Sequence, residues 1–454
     1  LHSFPTLRSS DLYGHCYHYT MTLTEAAFWT KRFGVIVIVF VVIVFTIFFV
    51  LFIPAQGKLP PEYLQGNFAC TETKDEFLAN TLTIPSYELL EDSELNFNLE
   101  TVTGKYENLP TVVNVYRYTN LGQVLNSQAE AKILAKKMGF DPEKIVRRGT
   151  SEYIWVNNTS QKSLSINARD LNFTLKTSVN KIRSLRKIMD LPSEAEAITI
   201  ASSALRTLGL LDSRYTQIQP SIYFIDINPD GTYSQADSLV NAELIRVDFQ
   251  RKIPMIAIST NIQGAESIVD TLVKKNMTYE MGSRIVNERR VDMYNFSTLI
   301  TYQNPVKSNV SVYVGPEDED LDIFNNIYQI DYRHWDIEEE SCGTYELVPP
   351  SSALQRIQNG EGSLVYLNYA NDEVKEYEPQ SIKKYNVYDI YITFYEGDVE
   401  QLYLQPVYMV TGEAELKNGD IVDFHIYYPA ISYETVTDMR VFEEEVEEEP
   451  KGFL

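Results

Sequence analysis

Cysteine is scarce in this chain of 454 residues: only Cys16, Cys70 and Cys342 occur. Cys70 and Cys342 fall on the same side of a long apolar run, where a disulfide is chemically allowed. A bridge between them and two unpaired thiols both fit, because sequence does not place the sulfurs within bonding distance. Histidine is nearly as rare. His2, His15 and His18 lie in the first twenty residues, which leaves His334 and His425 for the rest. Histidine-based catalysis is therefore poorly supplied, and both side chains read as structural. Basic residues are also short, 39 against 63 acidic, for a net charge of −24. That balance excludes a duplex nucleic-acid partner and argues against docking onto anionic lipid. The strings G-x-S-x-G, H-E-x-x-H, G-x-G-x-x-G and the Walker loop are missing. Ser178-x-x-Lys181 and Ser381-x-x-Lys384 lack the companion strings that give S-x-x-K meaning, so they read as chance.

What the chain has first is grease. Residues Gly34 to Ile53 carry no charge, and Thr46 is their only polar side chain. At about 1.5 Å rise per residue such a run spans a hydrocarbon core of roughly 30 Å. Lys31 and Arg32 precede it, and Pro54 ends it. The expectation is a transmembrane helix over residues 34–54, with the N-terminus cytoplasmic and the bulk extracytoplasmic by the positive-inside rule. The chain would then be a single-pass protein of the cell membrane. Residues 1–20 read as a non-native leader, with Met21 as the start of the native chain and 21–33 as a cytoplasmic segment.

Beyond the anchor, residues 55–110 read as an extended juxtamembrane arm rich in proline. Two helix starts share one pattern. Ser127-Gln-Ala-Glu130 and Ser193-Glu-Ala-Glu196 are both capping boxes, each followed by an alanine-rich face and a glycine stop. A third helix is expected over Ser352–Asn359. Strands follow each helix, and Asn418-Gly419 marks a hairpin. The expected fold class is α+β: an N-terminal transmembrane helix, then repeated helix-plus-antiparallel-sheet units over 111–187, 188–314 and a β-rich 315–435. The acidic stretch in 436–454 reads as a disordered tail.

A helix opening on S-x-x-E-A followed by a β-hairpin resembles the unit of PepSY-type and YycH/YycI-type extracytoplasmic proteins. The stretches Lys58–Pro61, Asn304–Gly315 and Tyr403–Gly412 are similar to uncharacterised single-pass bacterial envelope proteins or to the closing strands of that group. The resemblance implies regulation through protein contact, with an envelope or membrane protein as partner and no enzymatic step.

One metal pattern stands out. In the loop from Asp226 to Asp237, Asp226, Asn228, Asp230, Ser234 and Asp237 occupy positions 1, 3, 5, 9 and 12, with Gly231 at position 6. That is the oxygen-ligand spacing of a calcium loop. Against it, a strand precedes the loop, and Asn-Pro-Asp-Gly also makes a good hairpin turn. Tyr388, Tyr391, Tyr395, Tyr427 and Tyr428 sit in expected strands as candidates for a recognition surface. The leading functional reading is a non-enzymatic regulatory or binding module. The alternatives are a hydrolase with a carboxylate pair in an interdomain cleft and a structural or adhesive surface protein.

Overall fold

The computed structural model describes residues 65–441, except 102–108, 120–124, 186–190, 262–263, 275–276 and 287–288, together with parts of 27–44. The chain divides into two units, Leu1–Pro60 and Pro61–Leu454. In the first, the described stretches 27–28, 31–34 and 37–44 are helical. Among the described residues, no helix is long and apolar enough to cross a membrane. This corrects the expected anchor over 34–54 and the single-pass placement built on it. Residues 45–54 lie outside the described residues, as do the leader 1–20 and residues 442–454 of the expected tail 436–454; Val436, at the start of that tail, is buried.

In the second unit a short helix, α1 (Lys74–Leu78), precedes strands β1 (Phe97–Leu99) and β2 (Val112–Arg117). Helix α2 (Ser127–Lys137) leads into β3 (Val146–Arg148), β4 (Glu152–Asn157), β5 (Lys162–Asn167) and β6 (Phe173–Thr177). Helices α3 (Val179–Leu185) and α4 (Glu194–Leu208) precede β7 (Ser221–Ile227), β8 (Tyr233–Gln235) and β9 (Leu244–Phe249). Next come β10 (Arg251–Ser259), helix α5 (Ala265–Val273), β11 (Tyr279–Val286) and β12 (Arg289–Thr301). Strands β13 (Val310–Val314), β14 (Ile327–Tyr332) and β15 (Gly343–Glu346) lead to helix α6 (Pro350–Arg356). The chain closes with β16 (Ser363–Asn368), β17 (Ile382–Tyr395), β18 (Tyr403–Leu416) and β19 (Ile421–Pro429).

These strands build two large sheets. One has nine strands, in the order β3-β4-β5-β6-β14-β13-β9-β7-β8. The other has ten, on the path β10-β12-β17-β18-β19-β16, with β1, β2, β11 and β15 attached. The fold is predominantly β, which corrects the expected α+β class of repeated units. The expectation came from local helix signals, whereas sheet membership is set by pairing between distant residues. The chain crosses between sheets repeatedly. Only Gln250 separates β9 in the first from β10 in the second.

The alanine faces explain why two of the helices dock where they do. Ala131 and Ala135 of α2, and Ala197, Ala201 and Ala204 of α4, are buried in one core with Ile245, Val247, Val310 and Val312 of the nine-stranded sheet. Their methyl side chains keep this face of each helix thin, with Leu205 and Leu208 of α4 filling the core beside them. Strand alternation sends the neighbours Arg246, Asp248 and Ser311 to the opposite face, where all three are buried.

The two capping boxes differ. Ser193 accepts from the Glu196 N–H while Glu196 reaches back to the Ser193 N–H, and Gly209 closes α4 at φ +79°. At α2 the cap is Asn126, in left-handed backbone, without a side-chain bond. Ser127 is instead buried, its Oγ 3.1 Å from the Tyr153 hydroxyl. The third helix starts two residues earlier than expected, at Pro350.

The expected arm straps the ten-stranded sheet. The Tyr87 N–H donates to the Leu364 carbonyl at 2.7 Å, and the Glu94 N–H to the Ile382 carbonyl at 2.8 Å. Cys70 and Cys342 are bonded, with Cα atoms 4.7 Å apart across 272 residues of sequence. Phe68, Phe77, Tyr345 and Tyr403 pack around the bridge in a small core of their own.

Candidate functional site

A polar cavity of about 400 Å³ opens where the two sheets meet. The nine-stranded sheet supplies most of its wall: Glu152 of β4, Ser165 and Asn167 of β5, Phe173 and Thr174 of β6, and Arg333 just after β14. Tyr302, after β12, and Asp398, between β17 and β18, come from the other sheet. Leu164 and Ile166 of β5 face the helix-covered core, so alternation turns Ser165 and Asn167 outward into the cavity.

The turn from β5 to β6 shapes one end. Leu171 takes a positive φ of 62°. Asp170 Oδ1 accepts from the Asn172 N–H at 2.9 Å, and Asn167 Oδ1 accepts from the Arg169 N–H at 2.8 Å. This places Asn172 in the wall at 4% exposure. Its Oδ1 accepts from the His334 N–H at 2.8 Å. Its Nδ2, fully buried, has no hydrogen-bond partner among the described residues. A buried amide N–H₂ left unpaired costs roughly 1–3 kcal/mol.

The other groups hold one another. The Tyr302 hydroxyl donates to Asp398 Oδ1 at 2.7 Å. Burial, then the Asp398 charge, pushes that hydroxyl well above its ordinary range. Arg333 Nη1 donates to the carbonyls of Phe173 and Tyr332, each at 3.0 Å, and Nε lies 3.5 Å from Asp398 Oδ1. Ser165 Oγ donates to Glu152, which also faces Arg148 at 3.5 Å.

A second group of carboxylates stands apart from this cavity. Burial and the charge of Asp423 raise Glu373, and burial and the charge of Glu413 raise Asp423. Beside them the buried Tyr366 hydroxyl and His425 Nδ1 have no hydrogen-bond partner among the described residues. The His425 ring meets Tyr366 edge-on at 5.0 Å, and burial brings its pKa down to about 4. None of these residues lines the cavity. His334 joins a chain of contacts instead, with Nδ1 3.0 Å from the Tyr215 hydroxyl and Nε2 3.2 Å from Asp336.

The suspected calcium loop is a hairpin between β7 and β8. Asp226 pairs with Ser234 across the ladder, and Gly231 turns the chain at φ +91°. Asp230 Oδ1 accepts from both the N–H and the hydroxyl of Thr232, at 3.0 and 2.7 Å. Asn228 Nδ2 donates to Thr232 Oγ1 at 3.0 Å, and Ser234 Oγ donates to Asn228 Oδ1 at 3.3 Å. Asp237 lies past the end of β8. The side-chain oxygens of Asn228, Asp230 and Ser234 are thus turned to bonds within the hairpin. Among the described residues, no group of three or more His, Cys, Asp or Glu side chains is placed to hold a metal ion.

No family model matches the chain, and no curated protein does. The resemblance to PepSY-type and YycH/YycI-type proteins thus has no family model behind it. A crystal structure of an uncharacterised protein from Eubacterium rectale aligns with 82% of this chain and 96% of that one, at 13% identity and a TM-score of 0.33. So loose a likeness bears on neither fold nor site.

Of the tyrosines expected at a recognition surface, Tyr388 and Tyr391 are exposed, at 40% and 47%. Tyr395, Tyr427 and Tyr428 are buried. Sequence reasoning did not find the cavity. Its one local signal was the Asn167–Asn172 turn, whose Asp and Asn side chains bond back to the chain as turn residues do.

Proposed function

We propose that this chain is a non-enzymatic binding module whose inter-sheet cavity receives a polar group of its ligand. The observation that carries this reading is the cavity's polar wall, drawn from both sheets and held by its own hydrogen bonds. The hydroxyls of Ser165 and Tyr302 are held by Glu152 and Asp398, and both cysteine thiols of the described residues are tied in a bridge. Groups fixed in this way orient a ligand; none is an activated nucleophile with its base and orienter. Regulation by contact with another protein is the wider form of the same reading.

A second reading, hydrolysis by a carboxylate pair, is favoured by the raised Glu373 and Asp423. One experiment separates the two. Thermal unfolding of the full chain is followed across a panel of polar compounds, and each stabilising compound is then incubated with the protein and followed by NMR. The binding reading expects a rise in Tm that Tyr302→Ala abolishes, with the compound intact. Consumption of the compound, lost in Glu373→Gln or Asp423→Asn, would establish the hydrolase instead.

A further inference from the structure

The outermost strand of a sheet presents N–H and C=O groups that another chain can pair with, so natural sheets cover such edges or keep them short. Most edges here follow that rule. Strand β16 is covered by the arm: the Tyr87 N–H donates to the Leu364 carbonyl at 2.7 Å, and the Leu364 N–H donates to Ser86 Oγ at 3.0 Å. Strand β15 is met by the Phe68 N–H, which donates to the Thr344 carbonyl at 3.1 Å. Strand β10 carries Pro254, whose carbonyl accepts from the Tyr116 hydroxyl at 2.6 Å. Strands β1, β3 and β8 are three residues long. Two residues of β3 are arginine, and the Gln235 N–H of β8 donates to Asp372 Oδ1 at 3.0 Å.

Strand β11 breaks the rule. It has eight residues, pairs with β12 alone, and among the described residues nothing bonds to the backbone along its other edge. Tyr279, Met281 and Ile285 share one face by strand alternation and are exposed at 39%, 57% and 76%. A long, apolar, uncovered edge is the kind that recruits another strand.

We infer that β11 is a dimerisation edge, which pairs antiparallel with β11 of a second copy about a twofold axis at Gly282. The two ten-stranded sheets then run on as one. An antiparallel edge suits this, because the same strand serves both copies. The sequence of β11 is complementary to its own reverse. With Gly282 on the axis, Glu280 of each copy stands opposite Arg284 of the other, and Tyr279 stands opposite Ile285. Opposite charges, and an aromatic against a β-branched residue, are the cross-strand pairs that stabilise a ladder. Sliding by two residues either way, the least shift that keeps the faces aligned, sets Glu280 against Gly282 or Val286 instead. The Glu280 carboxylate reaches Lys252 Nζ at 3.1 Å and is 75% exposed, so it has lone pairs left for a second cation. The charge pattern therefore favours a second copy over an unrelated strand.

The test is sedimentation velocity of the full chain across a range of concentrations. A reversible monomer–dimer equilibrium is expected. Glu280→Arg sets like charges opposite each other on both sides of the axis and should weaken the dimer by roughly tenfold or more. Adding Arg284→Glu to it restores opposite charges and should bring the affinity back. The second substitution does not repair the lost Lys252 contact, so the recovery reads the contact between copies. Amide hydrogen exchange of the unaltered chain gives an independent reading: β11 should become more protected as concentration rises. A monomer at every concentration overturns the inference. So does a dimer indifferent to both substitutions, as one held by the apolar run 34–53 would be, and so does β11 protection that dilution leaves unchanged.

Discussion

Arg251 and Glu396 form a buried ion pair across 145 residues of sequence, each no more than 2% exposed. Arg251 opens β10, and Glu396 follows β17. Further partners come from both sheets, while Arg251 Nε has none among the described residues. Asn309 Nδ2 donates to Glu396 Oε2 at 2.7 Å, the Tyr118 hydroxyl donates to Oε1 at 3.2 Å, and Arg251 Nη1 donates to the Trp335 carbonyl at 3.2 Å. A buried pair of this kind adds little net stability over an apolar pair, but removing one partner strands the other charge. Glu396→Leu is expected to cost about 3–5 kcal/mol, and Arg251→Met combined with it should recover much of that loss. A double-mutant cycle on denaturant midpoints measures this; equal losses in the single and double variants would refute the pairing.

The Cys70–Cys342 bridge closes a loop spanning 272 positions. Cross-linking a loop that long restricts the unfolded chain, so Cys70→Ser with Cys342→Ser should lower stability by roughly 2–5 kcal/mol. Reduction of the native chain should shift the urea midpoint by the same amount. An unchanged midpoint in reductant would show that the bridge contributes nothing. Such a bridge persists only where thiols stay oxidised.

His425 sets a pH dependence. Burial holds its pKa at about 4, below the ordinary value of 6.5. The unfolded chain therefore takes up the proton first. Stability from the neutral ring is complete above about pH 6.5 and declines as pH falls through about 4, by on the order of 3 kcal/mol at most. Glu373 and Asp423, raised by burial, act in the opposite sense: their contribution is present in acid and lost as pH rises. His425→Phe keeps the packing against Tyr366 and removes only the histidine component. The variant should lose less stability between pH 7 and pH 4.5 than the parent, as read by thermal unfolding at each pH. Parallel curves would contradict the buried neutral ring.

The β7–β8 turn gives a test of the calcium pattern. Asn228 and Asp230 already satisfy Thr232, so calorimetry with millimolar Ca²⁺ should record no binding heat. Gly231, at φ +91°, carries the turn itself. Gly231→Ala should cost about 1 kcal/mol or more, since an alanine there is held in left-handed backbone. Saturable Ca²⁺ heat that Asp230→Asn removes would establish the metal reading instead.

The parts of the fold that sequence made legible are those written within a few residues. Ser193 and Glu196 make their box because both partners sit in one turn. The equivalent Ser127 does not cap, because Tyr153, from a strand further on, claims its hydroxyl. Tyr395 and Tyr427 looked like surface residues on strands, yet they meet each other in a buried edge-on pair 5.8 Å apart. The cavity was invisible for the same reason. Asn172, Tyr302, Arg333 and Asp398 come from separate segments and meet only after both sheets have formed.

Gln250 alone stands between the last residue of β9 and the first of β10. A linker of one residue leaves no slack for a hinge and no exposed tether for a protease to cut. Mechanical load on either half would pass straight into the backbone of the other. The two halves should therefore melt together, and cutting the gene at that point should give fragments that cannot stand alone.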